Sequence, residues 1–68
     1  MRAYYMGIPV VVNNDKAEAT SKEMLDEWIY VWMDRWGVPL PELVISNSCM
    51  ADLLKAFMID WRPELEGV

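Results

Sequence analysis

The chain has 68 residues, with six basic and eleven acidic side chains, no histidine and a single cysteine. This length suits one domain, and the lack of histidine excludes His-based catalytic triads and His metal ligands. One cysteine excludes an internal disulfide and every multi-cysteine zinc or iron–sulfur site. The formal charge of −5 disfavours nucleic acid as a partner, because binding to phosphates needs Lys and Arg. We therefore expect no cofactor and no metal, and surface recognition rather than catalysis.

The amino end carries one basic residue followed by apolar residues, as a signal peptide does. Gly7 and Pro9 interrupt the apolar run, and no small-residue cleavage site follows it. No window approaches the ~18 uninterrupted apolar residues that a spanning helix needs, and a single free cysteine is typical of a reducing compartment. We expect a cytoplasmic protein that does not bind membranes.

Residues 3–12 are rich in Tyr, Ile and Val and predict β-structure. One interpretation is a hairpin in which Arg2–Tyr5 pairs with Ile8–Val12 across a turn at Met6 and Gly7, where glycine supplies a positive φ. The other is one long strand with a bulge at Gly7. Pro9 lacks an amide hydrogen, so its strand lies at an edge there or pairs on one side only.

A helix is predicted over residues 21–36. Thr20 and Glu23 have the spacing of a capping box before an apolar run, and Gly37 at the C′ position with Pro39 beyond it ends the helix. Its apolar side chains span about 200° of the helix circumference, about twice the stripe of ~100° that a core-facing helix needs. They are Met24, Leu25, Trp28, Ile29, Val31, Trp32, Met33 and Trp36.

Residues 43–45 predict a short strand, and a second helix then begins with Asn47 or Ser48 as its cap. Its apolar residues continue to Trp61, and Pro63 stops it. We therefore expect a single compact domain over residues 1–62, followed by a polar tail over residues 63–68. The predicted fold is a small two-layer α+β domain of β-hairpin–helix–strand–helix order (ββαβα), with the helices on one face of a three-stranded sheet.

Little in the chain predicts chemistry. Cys49 near a helix amino end is either a nucleophile with a lowered pKa or a small buried hydrophobe, and the second interpretation is favoured. The acidic residues of the first helix are typical of a solvated face rather than of a cation site or an acid–base pair. We predict no catalytic and no metal-ligating residue, and hence no enzyme.

Trp28, Trp32 and Trp36 repeat every four residues and form a ladder along one side of the first helix. This tryptophan ladder is either core packing or a protein interface, because Trp, Tyr and Met are enriched at interfaces or their hot spots. A base-stacking platform needs interleaved basic residues, and Arg35 alone lies nearby. The predicted partner-binding residues are Trp28, Trp32, Trp36, Tyr30, Met33 and Arg35.

The expected function is protein–protein recognition by a small acidic adaptor or inhibitor that docks on a larger protein. The alternative is a structural subunit of a homo-oligomeric or virion-type assembly. Compact acidic proteins encoded by viruses or mobile elements often play either role. A viral or mobile-element origin is expected here by this analogy alone, and no residue of the chain demonstrates it. The partner, the oligomeric state and the strand order do not follow from the sequence.

Overall fold

The computed structural model describes residues 2–63. Four strands and two helices follow one another along the chain: β1 (Arg2–Tyr5), β2 (Ile8–Val12), α1 (Lys22–Trp36), β3 (Leu43–Ile45), α2 (Asn47–Lys55) and β4 (Asp60–Arg62). A 3-10 turn at Asn14–Lys16 precedes α1. The sheet has the order β3-β2-β1-β4; β1 is antiparallel to β2 and β4, and β2 is parallel to β3. The predicted α+β class is confirmed, whereas the sheet has one strand more than predicted.

The predicted hairpin is confirmed, and the long bulged strand is excluded. Met6 and Gly7 have φ values of 52° and 80°. Positive φ at both positions of a two-residue turn matches the twist of the flanking strands. Tyr4 pairs with Pro9, while the pairing of β2 with β3 begins at Val10. The missing amide hydrogen of Pro9 is thus accommodated because this residue pairs on one side only.

Helix α1 closely matches its prediction. Its cap is Ser21, whose Oγ accepts a hydrogen bond from the Met24 amide at 3.2 Å. Thr20, the cap expected from the capping-box spacing, instead places its Oγ1 3.1 Å from the Met24 sulfur. Gly37 adopts φ 72° and donates its amide hydrogen to the Met33 carbonyl at 2.8 Å, which ends the helix as predicted.

The prediction that the second helix reaches Trp61 is wrong. The prediction that Asn47 or Ser48 caps it is also wrong. Ser46 caps α2 by accepting from the Cys49 amide at 3.2 Å. After Lys55 the chain leaves the helix, with the Phe57 amide donating to the Leu54 carbonyl at 3.1 Å and the Met58 amide donating to the Leu53 carbonyl at 3.0 Å.

These two bonds form a Schellman motif, in which Phe57 occupies the left-handed position with φ 53°. The following residues form β4 because the free edge of β1 supplies a pairing partner for them. A short apolar segment fits a helix or a strand by periodicity alone, so the sequence did not reveal this long-range pairing.

One face of the sheet forms the core. Six buried side chains share that face by register: Ala3, Tyr5, Ile8, Val10, Leu43 and Ile45. Leu25 of α1 and both Cys49 and Leu53 of α2 belong to the same buried cluster. Both helices therefore pack on this face, which gives two layers.

The predicted tail over residues 63–68 lies, apart from Pro63, outside the described residues. Neither helix within residues 2–63 combines the length and the hydropathy needed to cross a membrane.

Candidate interaction surface on helix α1

The tryptophan ladder exists as a continuous row of rings. The centroids of Trp28 and Trp32 lie 5.8 Å apart with their planes at 67°, an edge-to-face arrangement. Those of Trp32 and Trp36 lie 5.7 Å apart at 47°. The guanidinium carbon of Arg35 lies 5.5 Å from the centroid of the Trp36 ring, within the range of a cation–π contact. Side chains four residues apart are neighbours on a helix, so local geometry suffices to build this row.

Burial changes along the ladder. Trp28 and Trp32 are half-buried and pack against the core cluster, whereas the Trp36 side chain is 57% exposed. The buried indole nitrogens of Trp28 and Trp32 have no hydrogen-bond partner within residues 2–63. A buried donor without a partner costs about 1–3 kcal/mol. Apolar and aromatic packing must therefore hold these two rings in place.

One side of α1 carries a stripe of side chains that extends past the core and is apolar except for Arg35 at its carboxyl end. Met24, Trp28, Val31 and Arg35 recur at the i, i+4, i+7, i+11 spacing of a single helix face; we call these four residues the outer flank. Met24 and Val31 are exposed, and Trp28 is half-buried beneath them. The outer flank thus keeps apolar surface in solvent beside a completed core.

Two of the predicted partner-binding residues lie elsewhere on α1. At 100° per residue, Met33 lies about 140° and Tyr30 about 160° around the helix from Trp28. Both are exposed. The structure therefore brings Trp28, Trp32, Trp36 and Arg35 together. Tyr30 and Met33 lie far around the helix from Trp28, although Met33 is only about 60° from Trp36.

An open depression of about 320 Å³ lies against the outer flank, lined by Glu18, Met24, Glu27, Trp28 and Val31. Glu18 is held there by β3: its amide donates to the Val44 carbonyl at 2.7 Å, and its Oε1 accepts from the Val44 amide at 3.3 Å. Three apolar side chains and two carboxylates thus line the depression. Such a site accommodates an apolar side chain next to a basic group.

Met24, Val31, Glu18 and Glu27 were not among the predicted partner-binding residues. Met24 and Val31 belonged to the predicted apolar arc, and their edge position in that arc was a usable signal. Glu27 lies four residues from both Glu23 and Val31. Its position in the sequence does not distinguish it from the other acidic residues of a solvated face. Glu18 is placed by hydrogen bonds to Val44, and no local pattern predicts that contact.

A polar network on another side of α1 connects the helix to the sheet. The Tyr5 hydroxyl donates to Asp26 Oδ1, and Lys22 Nζ donates to Asp26 Oδ2 at 2.8 Å. Burial and then the bond to Asp26 raise the pKa of Tyr5 far above its ordinary value. Burial opposes ionisation of Asp26, but the bonds from Lys22 and Tyr5 outweigh it and lower the pKa of that carboxyl. Each group is thus held in its ordinary ionisation state, which suits a structural role.

Cys49 is fully buried. Burial, with the charges of Asp52 and Asp26, raises the pKa of its thiol, so the helix amino end does not generate a thiolate. Within residues 2–63, no group of three or more His, Cys, Asp or Glu side chains is arranged to hold a metal ion. A second depression, of about 370 Å³, is lined by charges of both signs from Lys22, Glu23, Asp52 and Lys55 together with Ala56. Its lining residues include none of the large apolar side chains found beside the outer flank.

Comparisons of the chain with protein-family models, with curated proteins and with solved structures gave no match.

Proposed function

We propose that the chain is a non-enzymatic protein–protein interaction module, a small acidic adaptor or inhibitor that docks on a larger protein through the outer flank of α1. The observation that carries the proposal is the depression lined by the apolar side chains of Met24, Trp28 and Val31 together with the carboxylates of Glu18 and Glu27.

The outer flank has the composition of an interaction site. Burial of apolar surface is favourable by roughly 25 cal/mol per Å². The exposed parts of Met24 and Val31 receive none of this stabilisation within the domain. Trp is among the residues most enriched at interface hot spots, and Trp28 lies in this stripe. A partner that covers this stripe supplies the burial that the small core does not.

The charge around the depression defines the partner chemistry. Glu18 and Glu27 are among the residues that line it, and the whole chain carries a formal charge of −5. The complementary partner is a segment with an apolar anchor flanked by Lys or Arg. Such complementarity mainly accelerates association and fixes specificity, and salt weakens it.

Affinity capture with two matched variants tests the proposal. Met24 and Met33 lie on the same helix with 49% and 46% of their surface exposed, but only Met24 belongs to the outer flank. We expect one protein from the source cell to be retained by the wild-type chain and by Met33→Lys, and lost with Met24→Lys. Circular dichroism checks that both variants keep their helices. Identical retention by all three chains, or no retained protein, contradicts the proposal.

A further inference from the structure

Strand β4 is the open edge of the sheet. The opposite edge, β3, is covered by the segment before α1: Ala19 forms a parallel bridge with Ile45, and its carbonyl accepts from the Ser46 amide at 3.1 Å. Strand β4 is the last strand in the sheet order and pairs with β1. Within residues 2–63 nothing pairs with its other side, and all three of its residues are exposed. An unpaired edge is a ready template for another strand.

We propose that β4 pairs antiparallel with β4 of a second copy of this chain, around a two-fold axis at Trp61. In this register Asp60 of each copy lies directly opposite Arg62 of the other, and the two Trp61 residues face each other. Opposite charges and aromatic pairs directly across two strands are stabilising. A parallel, in-register pairing instead opposes Asp60 to Asp60, which disfavours it. The three-residue edge is therefore complementary to itself in one orientation only.

Asp60 and Arg62 are both exposed, so each can bind its counterpart in a second copy. Asp60 and Arg62 form an ion pair within the chain at 3.7 Å, with side chains 73% and 52% exposed. The Arg62 guanidinium lies 4.3 Å from the centre of the Tyr4 ring, which keeps it on the face of the sheet away from the helices. Two copies paired in this way form one continuous eight-stranded sheet, with a closed two-fold interface.

The turn that enters β4 supplies apolar area for such an interface. Phe57 is 94% exposed and Trp61 51% exposed, and Leu54 and Met58 are exposed beside them in the chain. Aromatic side chains bury about 150–250 Å² when fully covered, so Phe57 and Trp61 together supply about 300 Å² per copy. A standard interface buries about 800 Å² per partner, and the strand edge, Leu54 and Met58 contribute to the remainder.

Phe57, in the turn that enters β4, has an unusual backbone conformation. It occupies the left-handed position of the Schellman motif with φ 53°, where glycine is the usual residue. A large apolar side chain there is strained and nearly fully exposed, and strained residues cluster at functional sites.

Sedimentation equilibrium with charge-swap variants tests the pairing. Asp60→Arg places like charges opposite each other twice per dimer, and we expect the dimer dissociation constant to rise about tenfold or more. The double variant Asp60→Arg/Arg62→Asp restores the opposite charges and is expected to restore most of the affinity. A wild-type chain that stays monomeric up to about 1 mM, or a dimer that Asp60→Arg does not weaken, contradicts the proposal.

Cross-linking tests the register itself. Directly opposed side chains are close enough for a disulfide, so Trp61→Cys is expected to form a covalent dimer under mild oxidation much faster than Asp60→Cys. Native Cys49 is buried and does not compete. Equal rates for the two variants contradict the proposed axis. Met24→Lys is expected to leave dimerisation unchanged, so failure here and failure of the docking function of α1 are distinguishable.

Discussion

At the scale of single residues, Tyr5 is the clearest case of a polar group with a structural task. Its side chain is almost completely buried, and its hydroxyl reaches Asp26 on α1, which also binds Lys22. The network joins β1 to the first turns of α1 across the core. It orients the helix around its own axis, and this orientation presents the outer flank to solvent.

Replacing Tyr5 by Phe is expected to destabilise the domain by about 1–2 kcal/mol, because a buried hydrogen bond to a charged acceptor is lost. Denaturant unfolding followed by tryptophan fluorescence measures this change. Tyr4→Phe is the control, since Tyr4 contacts Arg62 through its ring rather than its hydroxyl. Equal losses for the two variants contradict the structural role assigned to the Tyr5 hydroxyl.

The same network predicts a pH dependence of stability. The pKa of Asp26 is lower in the folded chain than its ordinary value of 3.8, so the unfolded chain binds its proton first as the pH falls. The stabilising contribution of Asp26 is present above about pH 4 and is lost as the pH falls through the folded-state pKa. Melting temperatures between about pH 2 and 6 should therefore fall less steeply for Asp26→Asn than for the wild-type chain; parallel curves contradict this assignment.

At the scale of elements, the sequence predicted the turns and helix ends that depend on neighbouring residues. The turn at Met6 and Gly7 and the glycine stop at Gly37 each depend on a backbone conformation that neighbouring residues reveal. The boundary between α2 and β4 depends on β1, more than fifty residues earlier in the chain. The apolar spacing of residues 57–61 suits a helix as well as a strand, and only the free edge of β1 decides between them.

Phe57→Gly is expected to stabilise the monomer by about 1 kcal/mol, because glycine tolerates the left-handed conformation that phenylalanine adopts under strain. Phe57→Ala is the control that removes the ring and keeps the strain. Thermal unfolding of dilute protein compares the two variants, so that dimerisation does not contribute. A Phe57→Gly variant no more stable than Phe57→Ala contradicts the strain assigned to this position.

At the scale of the whole molecule, a chain with 54% hydrophobic residues exposes several of its large apolar side chains, because one small core cannot enclose them all. Within the described residues, prominent examples lie on the outer flank of α1 and in the segment that enters β4. The first surface is bordered by carboxylates, whereas the second carries Asp60 and Arg62. We infer two different occupants: a basic partner for α1 and a second copy for β4.

The candidate site was only partly predictable for the same physical reason. The tryptophan ladder follows from residue spacing within one helix, and the sequence located it correctly on α1. Whether each ring faces the core or solvent depends on where the sheet ends, so the exposure of Trp36 and the half-burial of Trp28 were not predictable. Glu18 reaches the depression because the chain before α1 pairs with β3, a contact between distant parts of the sequence.

Titration of the captured protein against purified chains tests docking through the outer flank. We expect Met24→Lys to weaken binding by at least about tenfold, because it removes apolar burial and places a cation before a basic partner. Met33→Lys, equally exposed on another side of α1, should change the dissociation constant by less than about threefold. Equal affinities for the wild-type and Met24→Lys chains, or an equal loss with Met33→Lys, contradict docking through the outer flank.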